Sequence, residues 1–436
     1  MNIVLIGAGS RSFGRGQLAD ILQNSDLYGR GVTLTLVDTN PEALDLMTRL
    51  AQRIKQHAGA DIAIQQTPNR CEALPGADYV ITAVARKRME LWEQDFRVPL
   101  AYGFRHCLGE NGGPGALFHA LRSLELVMPI CRDIEELCPN ALLLNFTNPE
   151  ARVLHAISHL TKVHAVGICH GVFSALRKIE QALQRPLAEL HVVSAGMNHF
   201  YDILSVVDKA TGAELRDEVL HRLLTDPTLD VPPLARKLAE VWGVITYMSD
   251  DHIGEYLSFG SEGVHSLFHG VKWHYGRESR PEPLGEPLSQ DLPLEEYASG
   301  ARPLDQAVLR ISGEITVPMI CDIALNRSSW RHAVNVLNSG PYIDNLPTPA
   351  AVEIPAIVDG AGIHPQKVGA LPEPFAAYVR TQCSIIELVT EAYRTRSKKL
   401  LLQALLLDPV VNNVKAAEQL LDDMLELQKE YLPAFC

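Results

Sequence analysis

Met1-Asn2-Ile3-Val4-Leu5-Ile6-Gly7-Ala8-Gly9-Ser10 opens the chain, and its reading decides the fold. Asn2–Ile6 is an apolar run of strand length that stops in a glycine turn, and the residues after the turn open a helix. The next strand-like run, Thr33–Val37, closes on Asp38. A strand, a Gly-x-Gly turn, a helix and a second strand ending in an acid is the order a dinucleotide site requires. Glycines allow a tight turn and close approach of a pyrophosphate, the helix N-terminus supplies unpaired N–H groups, and the acid takes the ribose hydroxyls. Gly7, Gly9, Ser10 and Asp38 are therefore the candidate cofactor-binding residues. Asp38 favours NAD over NADP because a carboxylate repels a 2′-phosphate, a preference that Arg11 beside the turn weakens. The third glycine of the fingerprint is replaced by Ser12, and the next glycine is Gly14.

Outward from this turn the alternation continues. Tyr79–Ala83, Ala141–Phe146 and Val163–Ile168 read as further strands, and Pro41–His57 reads as a helix whose Leu44, Met47, Leu50, Ala51 and Ile54 share one face. Ser123–Cys138 repeats that helical pattern. The fold class expected is α/β, a Rossmann-like parallel-sheet domain over residues 1–196. Beyond Gly196 the alternation decays into a strand-like Tyr201–Val207, helices, and a Gly/Pro/charge-rich surface loop from Gly276 to Leu292. Three leucine-rich helical segments follow, Pro374–Tyr393, Lys398–Leu407 and Asn413–Glu430. Strand signals are too few for a second parallel sheet, so residues 197–436 are expected to form a mixed, helix-dominated second domain.

A chain of 436 residues exceeds one ordinary core, and 47% hydrophobic with 21% charged residues is the balance of a globular protein. The net charge of −13 excludes a nucleic-acid partner, which needs a basic face. Arg86-Lys87-Arg88 is too short to supply one and reads as a solvated face. The N-terminus carries no basic and apolar leader, and no stretch of about 18 apolar residues runs uninterrupted, so neither a signal peptide nor a membrane span is expected. The eight scattered cysteines, with no CxxC pair, suit reduced thiols in a cytoplasmic protein.

Ile168-Cys169-His170-Gly171 lies at the carboxyl end of a predicted strand, where ligands collect in open α/β sheets, and Asn198-His199 follows another short apolar run, His191–Ala195. A thiolate plus an imidazole, with open positions for substrate oxygens, suits manganese, cobalt, nickel or a similar divalent ion. Asn145-Phe146-Thr147-Asn148-Pro149 ends a strand on the same rim. Asn148 can offer its amide to a sugar hydroxyl or simply form the turn before proline.

These landmarks, with Gly113-Pro114-Gly115, Ala120-Leu121-Arg122, Asn345-Leu346-Pro347, Val352-Glu353-Ile354-Pro355 and Gly362-Ile363-His364-Pro365, resemble those of the family 4 glycoside hydrolases over most of the chain. The resemblance implies a Rossmann-like domain joined to a lactate/malate-dehydrogenase-like one. It also implies a tightly held NAD, a divalent metal, usually manganese, on Cys169 and His199, and a homodimer or homotetramer. The implied reaction oxidises the sugar at C3, removes the acidified C2 proton, eliminates the glycosidic oxygen, adds water at C1 and returns the hydride.

By the same resemblance Asp250 of Ser249-Asp250-Asp251-His252 is the expected base, with Asp251 and Tyr247 as alternatives. Glu110, where relatives often carry aspartate, would assist acid–base work or bind sugar. His170 would serve catalysis and substrate binding. Cys-His accompanies unphosphorylated hexosides or hexuronides, whereas Asp or Asn after the cysteine accompanies 6-phosphosugars. The expected substrate is thus an unphosphorylated α-linked hexoside or hexuronide, of undetermined sugar and anomer. Two rivals share the fold: an NAD-dependent sugar or hydroxy-acid dehydrogenase, which needs no Cys/His pair, and a non-catalytic NAD-binding module.

Overall fold

The computed structural model describes residues 1–262 and 292–436, and the backbone of Trp273–His274 and Arg277–Glu278 between them. Most of the expected loop from Gly276 to Leu292 lies outside the described residues.

The first six strands, β1 (Asn2–Ile6), β2 (Thr33–Val37), β3 (Ala63–Thr67), β4 (Tyr79–Thr82), β5 (Leu142–Asn145) and β6 (His164–Gly167), pair in parallel in the order 3-2-1-4-5-6. This is the strand order of a dinucleotide-binding fold. Along β1, Ile3 and Leu5 enter one apolar layer while Val4 and Ile6 enter the other, because strand side chains alternate and both sheet faces are covered. Each such burial contributes about 1.5–3 kcal/mol. Helices Phe13–Leu22, Pro41–Ala58 and Thr316–Ala324 cover one face; Gly113–Leu137, Glu150–Leu160 and Glu373–Thr395 cover the other. Pro41–Ala58 begins where Asn40 caps Glu42 and Ala43 and ends on Gly59 at φ +66°.

The second half contributes β7 (Leu190–Met197), β8 (Phe200–Asp208), a short ribbon of β9 (Trp273–His274) and β10 (Arg277–Glu278), then β11 (Ser329–Leu337), β12 (Ala351–Asp359) and β13 (Gly362–Pro365). Apart from the ribbon, these strands extend the same sheet in antiparallel fashion, β6-β11-β12-β7-β8, with β13 beside β12. The helices expected near the C-terminus are present as Glu373–Thr395, Lys398–Leu407 and Val414–Leu427. Residue 196 falls inside β7. Two joins in this sheet rest on single residue pairs, Gly167 with Asn335 and Gly196 with Glu353. No helix of the described residues is long and apolar enough to cross a membrane.

Burial also fixes charge states. His106 packs over Gly109 and Gly113, bonds the Phe96 carbonyl at 2.8 Å, and is held neutral by desolvation, its pKa pushed down to about 4. An unfolded histidine protonates near pH 6.5, roughly, so between the two values the unfolded chain binds the extra proton and stability falls as pH is lowered. In urea titrations His106 should contribute a loss of about 1.4 kcal/mol per pH unit across that window. A His106→Gln variant with the same slope as the parent would refute this.

Candidate active site

Gly7 to Ser10 form the turn after β1, and Gly9 donates its N–H to Asp38 Oδ2 at 2.8 Å. Asp38 Oδ1 accepts from Asn40 at 2.9 Å, so the acid closing β2 is clamped against the turn. Ser10 Oγ accepts from Phe13 N and caps the helix entry. A Cβ on Gly9 would lie 2.7 Å from Asp38 Oδ2, and one on Gly14 only 2.3 Å from the Ala8 carbonyl. Gly14 thus provides the close helix–strand contact that the third fingerprint glycine ordinarily gives, two positions later than the spacing predicts. Arg11 is bound by the Glu295 carboxylate. The cradle fits a dinucleotide: at Gly7 a Cβ would strike the Ala83 carbonyl and at Gly9 the Asp38 carboxylate, so only glycines let the turn pass this close to the acid that takes the ribose. Gly9→Ala should weaken NAD binding by about tenfold or more, as overpacking costs on the order of 1–3 kcal/mol; unchanged NAD titration would sink that reading.

Cys169 follows β6 and His199 sits in the β7–β8 turn, which brings Sγ and Nε2 to 3.3 Å. Metal–sulfur and metal–nitrogen bonds of about 2.3 and 2.1 Å, set at right to tetrahedral angles, place such atoms about 3.1–3.6 Å apart. His199 adopts φ +64°, a left-handed conformation that a non-glycine residue holds only under constraint. Burial pushes the Cys169 thiol well up and the His199 imidazole well down. The neutral imidazole is the ligand form, and a divalent cation would displace the thiol proton. The donor set therefore fits a divalent metal. Among the described residues no third His, Cys, Asp or Glu joins the pair, leaving other positions open.

Beneath this pair lies the seam of the sheet. Glu353, opposite Gly196, accepts from both Asn198 and Asn335 at 3.2 Å. Burial raises its pKa to about 7. Sequence reading placed Glu353 only within a landmark, since nothing local marks an acid on an apolar strand as a support for the metal loop.

On the rim where β5 ends, Glu110, 4% exposed, gathers Asn148 Nδ2 at 3.3 Å and Arg88 Nη2 at 3.1 Å on one oxygen. Glu110 and Asn148, singled out separately in the sequence, are thus brought together. Arg88, read as solvated, is 52% exposed and also bridges to the site through Glu110. Glu255 accepts from the backbone N–H groups of Glu110 and Asn111, and burial beside Glu110 raises it to about 8. The Arg122 landmark is scaffold: its guanidinium binds Asp95 and Gln428 in the interior.

In the segment before Glu255 the expected base, Asp250, and its alternatives take different partners. Asp250 turns to the helix Pro233–Trp242, where its oxygens accept from Leu234 N at 2.8 Å and Ala235 N at 2.9 Å. It is engaged as a cap, with both oxygens held by backbone N–H groups. Asp251 instead binds Ser249 Oγ at 2.6 Å and the His252 Nδ1 at 2.8 Å. The His252 ring lies 4.8 Å from the His199 ring and 5.2 Å from that of Tyr247. Tyr247 lies 5.3 Å from His199, and burial beside Cys169 and Asp251 raises its hydroxyl well above the usual phenol value. His170 reaches Glu314 Oε1 at 2.5 Å.

Known proteins resemble this chain over nearly its whole length. The model "Family 4 glycosyl hydrolase" matches residues 2–185, and "Family 4 glycosyl hydrolase C-terminal domain" matches residues 194–411. An α-glucosidase of Erwinia rhapontici is 30% identical over 471 residues, spanning 99% of this chain and 98% of that protein. The fold superposes on the crystal structure of a 6-phospho-α-glucosidase from gut microorganisms in complex with NAD and Mn²⁺, with a TM-score of 0.79 at 20% identity over 100% and 99% of the two chains. Malate dehydrogenase from Plasmodium falciparum matches at a TM-score of 0.51 and 12% identity over 92% and 99%, which fits the dehydrogenase-like second half. With both halves matched and a relative at 30% identity over nearly its whole length, this chain belongs to the family 4 glycosyl hydrolases.

Proposed function

We propose that the protein hydrolyses an unphosphorylated α-linked hexoside or hexuronide with NAD and a divalent metal, manganese first among them. The observation that carries this reading is the Cys169–His199 pair, 3.3 Å apart at the carboxyl end of the parallel sheet that also bears the glycine turn. NAD would accept and return a hydride at the sugar C3, and the metal would act as a Lewis acid toward the C2 and C3 oxygens.

The chain's own residues do the rest. Gly7, Gly9, Ser10 and Asp38 hold the dinucleotide. Cys169 and His199 hold the metal, while Glu353 and Asn198 brace the loop below. Asn148 and Glu110 bind sugar hydroxyls, with Glu110 placed to assist proton transfer at the leaving oxygen. His170 meets the sugar from the metal loop. For removal of the C2 proton the arrangement favours His252. Asp251 and Ser249 engage its Nδ1, leaving Nε2 for the substrate, which is the pairing of base and orienting group that proton abstraction calls for.

The substrate class follows from charge. The acids of the described site, Glu110, Asp251 and Glu314, disfavour a phosphate dianion, and Arg88 and His170 are each paired with one of them. The α-glucosidase relative points to the same side. The eight unpaired cysteines suit a cytoplasmic setting, and exposed Leu406, Leu407, Val414 and Leu427 on the last two helices offer an apolar face for a homodimer or homotetramer.

The test is release of p-nitrophenol from unphosphorylated and 6-phosphorylated α- and β-hexosides and hexuronides, with and without NAD, Mn²⁺ and a thiol reductant. Cleavage of an unphosphorylated α-glycoside that needs NAD yet accumulates no NADH is expected. NADH accumulating from a free sugar or hydroxy acid, with no glycoside cleaved, would make the protein a dehydrogenase.

A further inference from the structure

An imidazole on a loop exposed to solvent ordinarily samples several rotamers, and a group that must meet a substrate in one orientation needs something to hold it. The His170 side chain is 62% exposed, whereas Glu314, whose Oε1 lies 2.5 Å from its Nδ1, is 8% exposed. The buried partner is the rigid one. Its second oxygen, Oε2, is buried with no hydrogen-bond partner, so the carboxylate is committed to this one contact among the described residues.

The reason Glu314 stays in place is its own loop. Ser312 donates both N–H and Oγ–H to Asp20 on the helix Phe13–Leu22, which follows the glycine turn. Ser312 Oγ in turn accepts from Glu314 N at 3.0 Å, and Arg15 of the same helix binds the carbonyls of Val308 and Arg310. Gly16 leaves the space that Ser312 occupies: a Cβ there would lie 3.2 Å from the Ser312 Cβ. A chain of contacts therefore runs from the cofactor helix through Asp20, Ser312 and Glu314 to His170, next to the metal-binding cysteine.

We propose that Glu314 is a positioning residue for the reaction. It fixes the His170 imidazole for the sugar and refers that imidazole to the helix that carries the dinucleotide turn. Sugar and cofactor are then registered against each other by the 308–314 segment as well as by the sheet. This rests on the proposed function for its kinetic consequence, but not for its geometry.

The experiment is a double-mutant cycle of Glu314→Ala and His170→Ala, with Glu314→Gln as the conservative variant. The probe is the p-nitrophenyl glycoside that the wild type cleaves best, and crystal structures of wild type and Glu314→Ala accompany the kinetics. Glu314→Ala is expected to lower kcat/KM by about 10- to 100-fold, with NAD and Mn²⁺ affinities unchanged. Glu314→Gln, which keeps an acceptor toward Nδ1, is expected to restore activity to within about threefold. In the His170→Ala background Glu314→Ala should cost less than about twofold, since its target is gone. A full cost in that background, or an imidazole unmoved in the Glu314→Ala crystal structure, overturns the proposal. If the wild type cleaves no glycoside, the functional reading fails by itself, and the crystal structures still decide whether Glu314 places His170.

Discussion

Cys169→Ser is expected to lower glycoside cleavage by at least about 10³-fold while leaving NAD affinity within about twofold. The argument is chemical rather than steric. Serine is nearly the size of cysteine and can still accept from Gly171 N, the contact that Cys169 Sγ makes at 3.3 Å. It does not ionise near neutral pH, however, so the site would lose its anionic soft donor and keep only His199. A single neutral imidazole binds divalent ions weakly, and with the ion goes the stabilisation of negative charge on the sugar oxygens. The glycine turn, built on β1 and β2, is untouched by this change. Two readouts separate the steps: NAD titration, expected to stay as in wild type, and Mn²⁺ binding by electron paramagnetic resonance, expected to be lost. Wild-type cleavage in Cys169→Ser would remove the ligand assignment. Peroxide treatment should mimic the variant, with thiol reductant restoring activity after mild exposure, because an oxidised sulfur no longer ligates as a thiolate.

The contrast between Cys169 and Asp250 shows what the chain reveals by itself. Cys169 was legible because it ends a strand whose apolar run is local, and the carboxyl end of a parallel strand is where ligands gather. Gly7, Gly9 and Asp38 were legible for the same reason. β3 was not: Ala63–Thr67 is a largely exposed edge strand carrying two glutamines, so no apolar run marks it. The antiparallel extension β11-β12-β7-β8 was also missed, since its joins β6–β11 and β12–β7 pair segments more than a hundred residues apart and only the β11–β12 and β7–β8 pairs are local. Partners chosen at such distances are set by tertiary packing, which periodicity does not record. The partners of Asp250, Asp251 and His252 were illegible for another reason. Three adjacent polar residues on the short helix Asp250–Gly254 point in different directions, and which of them faces His199 depends on the docking of the helix Pro233–Trp242, which claims Asp250 for its N-terminus. Glu314 and Arg88 share that dependence, each acting on a residue remote in sequence.

That difference sets the second large effect. With substrate, NAD and Mn²⁺ in deuterated water, the wild type should place deuterium at C2 of the product sugar. His252→Gln is expected to reduce this exchange, and cleavage with it, by about 10²–10⁴-fold, the range for loss of a general base. Asp251→Asn should fall between, because it releases the imidazole from its orienting carboxylate without removing it. Asp250→Asn should retain exchange within about threefold, since asparagine still caps a helix, and should show at most about 1 kcal/mol of lost stability. Tyr247→Phe is expected to keep exchange as well: burial and the neighbouring acid and thiol hold its hydroxyl protonated, and a protonated phenol takes no proton from carbon. A divalent cation nearby pulls the phenol toward ionisation, which makes Tyr247 the sharpest competitor and its variant the deciding control. Exchange lost in Tyr247→Phe and kept in His252→Gln would move the base to the tyrosine. Exchange lost only in Asp250→Asn would mean that the helix Pro233–Trp242 releases its cap when sugar binds, and that the capped arrangement precedes the reactive one.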